Sequence, residues 1–104
     1  MQDIEVEEFA ELIKNPHNIQ LLDVRENLGF HTFNIGGKNI PLGKLSQLIA
    51  DDELELDEEK TTIVICQRGL RSKTAKQILT NAGYPNTRNL IGGLLKLQKI
   101  TSTH

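Results

Sequence analysis

Thr61-Thr62-Ile63-Val64-Ile65-Cys66-Gln67-Arg68-Gly69-Leu70-Arg71-Ser72 is the stretch that sets the architecture. Its first half, TTIVI, is short, apolar and β-branched without a break, which predicts a strand over residues 61–65 buried on both faces. Its second half is polar, carries a glycine, and ends in a hydroxyl residue where a helical pattern begins. That pattern, Ser72 to Ala82, places Ala75, Ile78, Leu79 and Ala82 inward. Gly83 stands where a C-terminal cap belongs, and Pro85 follows. Strand, tight turn and helix in that order form the repeating unit of a parallel sheet covered by helices.

The flanking sequence repeats the alternation. Glu7 to Lys14 sets Phe9, Leu12 and Ile13 on one helical face, with acids at its start and a lysine at its end. Asn15-Pro16 stops it. Ile19 to Val24 (IQLLDV) predicts a second buried strand. Leu28 to Phe33 can hold a helical turn, Asn34 to Gly37 a turn, and Asn39 to Pro41 a short edge strand. Leu42 to Ile49 is helical, with Leu42, Leu45, Leu48 and Ile49 in phase. Asp51 to Lys60 holds seven of the 14 acids and predicts a solvated loop kept out of any core. Thr87 to Leu90 is a short strand, Gly92-Gly93 a turn, Leu94 to Ile100 a last helix, and Thr101 to His104 a frayed tail. The fold class is α/β, a parallel sheet with helices on both faces.

With 104 residues the chain has room for one domain, residues 1–104. A net charge of −2 argues against a protein built around nucleic-acid phosphates. Aromatic residues are 4%, so the core is aliphatic. No apolar run approaches the ~20 residues that span a bilayer, so no membrane role is expected. The acidic start MQDIEVEEF lacks the pattern of a signal peptide. With one unpaired cysteine, these features point to a reducing, cytoplasmic setting. That single cysteine also excludes an internal disulfide, a CxxC pair and a cysteine-rich zinc site. His17, His31 and His104 have no ligand spacing, so no metal is expected. Gly36-Gly37 and Gly92-Gly93 read as turns, since neither follows a strand with a phosphate-loop lysine.

In an open parallel sheet, ligands bind beyond the carboxyl ends of the strands. TTIVI ends at Cys66, and IQLLDV leads through Asp23 to Arg25. A lone cysteine after an apolar strand is ordinarily a small buried hydrophobe. Here it opens a loop with Gly69 in the middle, Arg68 and Arg71 beside it, and a helix starting near Ser72. Such a turn can aim its backbone N–H groups at one spot. Helix N-termini and nearby cations lower a thiol pKa. The conjunction reads as a reactive thiolate inside a ring of donors. Lys73 and Lys76 on the following helix read as a solvated face that could attract an anionic donor or an acidic carrier.

CQRGLRS closely resembles the active-site loop of rhodanese-like sulfurtransferases, C-x-x-G-x-R-S/T. LLDVRE (Leu21 to Glu26), NIGGKNIPLGKL (Asn34 to Leu45) and AGYPNTRNLIGGLLKL (Ala82 to Leu97) resemble the other motifs of that family, in the family's order. The likeness covers nearly the whole chain and implies a rhodanese-like fold of about five mostly parallel strands. It implies a sulfurtransferase that takes sulfane sulfur from thiosulfate or a persulfide, holds it as a persulfide on Cys66, and needs no cofactor. The acceptor would be a thiol, cyanide or a sulfur-carrier protein. Cys66 and Arg71 would be catalytic, and Gln67, Arg68, Gly69, Leu70 and Ser72 would form the persulfide-binding loop. Asp23 and Arg25 would brace that loop or tune its charge, or simply form a structural ion pair.

Related phosphatases use a loop one residue longer, C-x-x-x-x-x-R, to wrap a tetrahedral phosphate. The six-residue span from Cys66 to Arg71 suits a single sulfur atom better. With no second thiol in the chain, the sulfur must leave to an external acceptor. Two positions depart from the common family pattern. Thr32-Phe33-Asn34 stands where many members have G-H-I, and Leu97 where many have tryptophan. The N-I-G-G-x-x-I-P-L-G form resembles domains fused behind adenylating enzymes of molybdopterin and thiamine biosynthesis. That subtype implies an adenylating domain in the same full-length chain. The alternative is a non-catalytic interaction or regulatory domain, disfavoured because inactive relatives typically lose the cysteine.

Overall fold

The computed structural model describes residues 1–101. The elements run α1 (Val6–Leu12), β1 (Ile19–Asp23), α2 (Asn27–Thr32), β2 (Lys38–Asn39), α3 (Leu42–Ala50), β3 (Thr61–Ile65), α4 (Arg71–Asn81), β4 (Thr87–Asn89) and α5 (Gly93–Thr101). The four strands form one sheet in the order β2-β1-β3-β4, and every pairing is parallel. Where about five strands are expected, four form among the described residues, and Ile4 adds only an isolated parallel bridge to Leu90. The chain enters α1 at Val6, two residues later, and leaves no length for a ladder.

Strand alternation divides the core into two layers. Ile63 and Ile65 face Phe9 of α1 and Leu94 and Leu97 of α5. Leu22, Val24, Val64 and Cys66 face Leu45 of α3 and Ala75 and Leu79 of α4. Helices therefore cover both faces, as the alternating pattern requires. The acidic stretch after α3 is not wholly outside the core, contrary to expectation. Leu54 and Leu56 alternate with its acids and pack, partly buried, against the α3–α4 layer. Two apolar side chains suffice to pin a loop whose charges remain in water. Thr101 closes α5; the rest of the tail expected to fray lies outside the described residues.

Topology places the site. From β1 the chain moves outward to β2, then crosses to β3 on the other side of β1. The carboxyl ends of β1 and β3 are in register, Asp23 opposite Ile65, and the Val24 amide donates to the Ile65 carbonyl at 2.9 Å. This reversal of strand order opens a crevice where neighbouring loops part. Cys66 and Arg25 both stand at its edge.

Candidate active site

Cys66 is the first residue beyond β3, and its side chain turns toward α4 because Val64 already does. Its Sγ lies 3.1 Å from the Gly69 amide nitrogen, 3.3 Å from the Ser72 amide nitrogen and 3.2 Å from Ser72 Oγ. The N-cap residue of α4, Leu70, offers no side-chain cap. The sulfur takes that role by accepting the Ser72 amide, one of the donors a helix start leaves unpaired. Burial pushes the Cys66 thiol up. The Ser72 hydroxyl and the amides of Ser72, Arg68 and Gly69 outweigh it, so the thiol sits below its ordinary value. Hydrogen bonds supply the leading part of this lowering.

Two glycines let the loop close. Gly69 has φ +83°, and a Cβ there would lie 2.9 Å from the Gly92 nitrogen and 3.0 Å from the Leu90 carbonyl. Gly93 has φ +63°, and its Cβ would lie 2.5 Å from the Cys66 carbonyl. Because Gly93 is bare, the first amides of α5 reach the loop. Leu94 N–H donates to the Cys66 carbonyl and Leu95 N–H to the Gln67 carbonyl, both at 3.0 Å. The Gly92-Gly93 turn thus docks a helix N-terminus onto the site, a function its sequence did not reveal.

The thiol opens into a cavity of about 450 Å³. Gln67, Arg68, Leu70 and Arg71 line it from the loop, and Arg25, Glu26 and Gly29 from the chain after β1. Gly69 and Ser72 are buried behind the sulfur. Asp23 is not among the lining residues; it is fully buried and paired with Arg25, which is. Both its carboxylate oxygens accept from the guanidinium, the closest contact being 2.8 Å, and the same guanidinium donates to the Phe33 carbonyl at 2.6 Å. This buried pair fixes the opposite wall. Lys76 is not a free cation for donor capture, because its Nζ is 2.6 Å from the Asp3 carboxylate. Among the described residues, no group of three or more His, Cys, Asp or Glu is placed to hold a metal, and no helix is long and apolar enough to cross a membrane. His104 lies outside them.

Three residues of the site went unassigned in the sequence. Glu26 and Gly29 follow the D-V-R segment and needed only the tight α2 turn to face the thiol. Asn89 comes from β4, and its amide donates to the Gly69 carbonyl at 3.1 Å while its oxygen accepts from the Ser72 hydroxyl. Its only sequence signal was its place in the N-L-x-G-G segment.

Comparison with known proteins agrees with this geometry. The profile of the rhodanese-like domain matches residues 5–99. The chain is 32% identical over 98 residues to the rhodanese-like/PpiC domain-containing protein 12, chloroplastic, of Arabidopsis thaliana, covering 90% of this chain and 33% of that protein. It is 34% identical over 91 residues to the adenylyltransferase and sulfurtransferase MOCS3-2 of Zea mays, covering 84% of this chain and 19% of that protein. The chain therefore spans a third or less of the length of these two relatives. A rhodanese-related protein from Thermoplasma volcanium superposes with a TM-score of 0.79 at 27% identity, covering 96% of this chain and 93% of that one. With its family profile, its relatives and its thiol-centred loop in agreement, the chain belongs to the rhodanese-like domain family.

Proposed function

We propose that residues 1–104 act as a single rhodanese-like domain that transfers sulfane sulfur through a persulfide on Cys66. The observation that carries this reading is a thiol at the base of an open cavity, with its pKa lowered and its Sγ met by the Gly69 and Ser72 amides. The thiolate attacks the outer sulfur of a donor such as thiosulfate. The donor's S–S bond breaks, its electron pair leaves with sulfite, and a Cys66 persulfide anion remains. Arg68 and Arg71 draw the anionic donor into the cavity, and the loop amides hold the sulfur. Gln67 and Leu70 complete the wall, Gly69 lets it curl, and Ser72 backs the sulfur. Asp23 holds Arg25 as the opposite wall, so their role is bracing. An acceptor nucleophile then attacks the terminal sulfur and releases the Cys66 thiolate; with cyanide the product is thiocyanate. These 104 residues hold no other cysteine, so the acceptor is not a second thiol of this domain.

The surroundings favour a protein-borne acceptor over a small anion alone. A second hollow of about 410 Å³ shares Arg25, Gly29 and Gln67 with the first and continues past Leu28, Thr32 and Phe33. Leu28 is 80% exposed, Leu70 71% and Phe33 45%, an apolar rim that thiosulfate would not use. The resemblance to an adenylyltransferase and sulfurtransferase fits a sulfur-carrier protein as acceptor and an adenylating domain in the same full-length chain. A cytoplasmic setting would keep the thiol reduced between cycles. The test is intact mass after thiosulfate. Wild-type protein should gain one sulfur atom, lost again to cyanide or dithiothreitol. A Cys66→Ser variant that still converted thiosulfate and cyanide would refute the reading.

A further inference from the structure

Asn89 ends β4 opposite Val64 of β3 and is almost fully buried. Its backbone N–H donates to the Asp3 carboxylate at 3.1 Å. Its side-chain Nδ2 faces the Gly69 carbonyl, which only accepts, so its Oδ1 must be the atom that faces Ser72 Oγ. The Ser72 hydroxyl has one proton and two claimants, Asn89 Oδ1 and Cys66 Sγ. While Asn89 holds that proton, Ser72 can only accept from Cys66, which requires the neutral thiol. For the hydroxyl to donate to the thiolate, it must leave Oδ1, a buried acceptor.

We propose that Asn89 is a positioning residue that competes with Cys66 for the Ser72 proton, so that the thiolate, met by the Gly69 and Ser72 amides, gains the hydroxyl as a further donor only when it turns from Asn89 to the sulfur. The inference rests on Cys66 being the working thiol and extends it to the residue that controls its proton. Charged groups facing the same cavity are Arg25 and Glu26 after β1, and Arg68 and Arg71 on the loop and α4. Asp3, behind Asn89, is paired with Lys76.

The test is the rate at which iodoacetamide alkylates Cys66 below its pKa, which needs no sulfur donor. It therefore separates failure of this inference from failure of the persulfide reading. Freeing one contested hydrogen bond should speed alkylation of Asn89→Ala by about fivefold. Ser72→Ala should slow it, and in Ser72→Ala/Asn89→Ala the acceleration should vanish. Asn89→Asp, which keeps the acceptor and adds negative charge, should slow alkylation, and by less when Ser72 is absent. A purely structural Asn89 loses its bond to Gly69 in both variants and would move them in the same direction. Slower or unchanged alkylation of Asn89→Ala, or equal acceleration without Ser72, overturns the proposal. Should Asn89→Ala fail to fold, Asn89→Asp decides when measured with and without Ser72, and wild-type reactivity, or equal slowing in both backgrounds, overturns the proposal.

Discussion

Gly93 joins fold and site most tightly, and a glycine-to-alanine series separates the two reasons it must be glycine. An alanine at its φ of +63° meets the left-handed penalty of about 1–2 kcal/mol. Its Cβ would also stand 2.5 Å from the Cys66 carbonyl and 2.6 Å from the Gln67 carbonyl carbon, both backbone atoms that cannot swing aside. Crowding of that kind adds about 1–3 kcal/mol. Gly93→Ala should therefore cost about 2–5 kcal/mol in urea unfolding and lower Tm by at least about 8 °C. Gly36 has φ +96° with nothing within 4 Å, so Gly36→Ala isolates the backbone penalty at about 1–2 kcal/mol. Gly43 lies in α3 with open space around its Cβ, and Gly43→Ala should be stabilising by about 0.5 kcal/mol. If Gly93→Ala proves no worse than Gly36→Ala, the contact between the α5 start and the cysteine loop is not as close as described. Iodoacetamide reactivity should fall with Gly93→Ala and not with the other two, because only Gly93 touches the peptide that carries Cys66.

Two further outcomes follow from the electrostatics. The Cys66 thiol is lowered from the ordinary 9.0, so alkylation should plateau at a lower pH than for a free thiol. The sign for stability is fixed by the same shift. The folded state prefers the anion, so stability should rise with pH between the lowered value and 9.0, and this contribution is lost as pH falls through the lowered value. Cys66→Ser should flatten that slope in urea titrations run at each pH. Asp23→Asn should destabilise the fold by about 3–5 kcal/mol, because Arg25, 9% exposed, would keep its charge without a carboxylate. An effect under about 1 kcal/mol would mean that water reaches the Arg25 guanidinium.

What the sequence made legible was local. The β-branched run Thr61–Ile65, the glycine at 69 and the helix after it are each written in neighbouring residues, and strand β3 was read with its true ends. Helix α4 starts one residue earlier than its hydroxyl suggested, because the Cys66 sulfur caps it and Ser72 lies within the first turn. What escaped depends on register between distant segments. Asn89 reaches the site because Val64 pairs with Asn89 across β3 and β4, and no nearby residue announces that pairing. Lys76 looked like a free surface cation because its partner, Asp3, is 73 positions away. Leu54 and Leu56 were hidden by the acids around them, since charge density says that a loop is wet but not which of its side chains turn inward.

The most direct test of the account is the intact mass of the wild-type chain after thiosulfate, followed by cyanide. Persulfide transfer requires the mass of one added sulfur atom, located on Cys66 by fragmentation, and its removal with release of thiocyanate. A chain that stays unmodified, or a Cys66→Ser variant that still takes up and discharges sulfur, would contradict it.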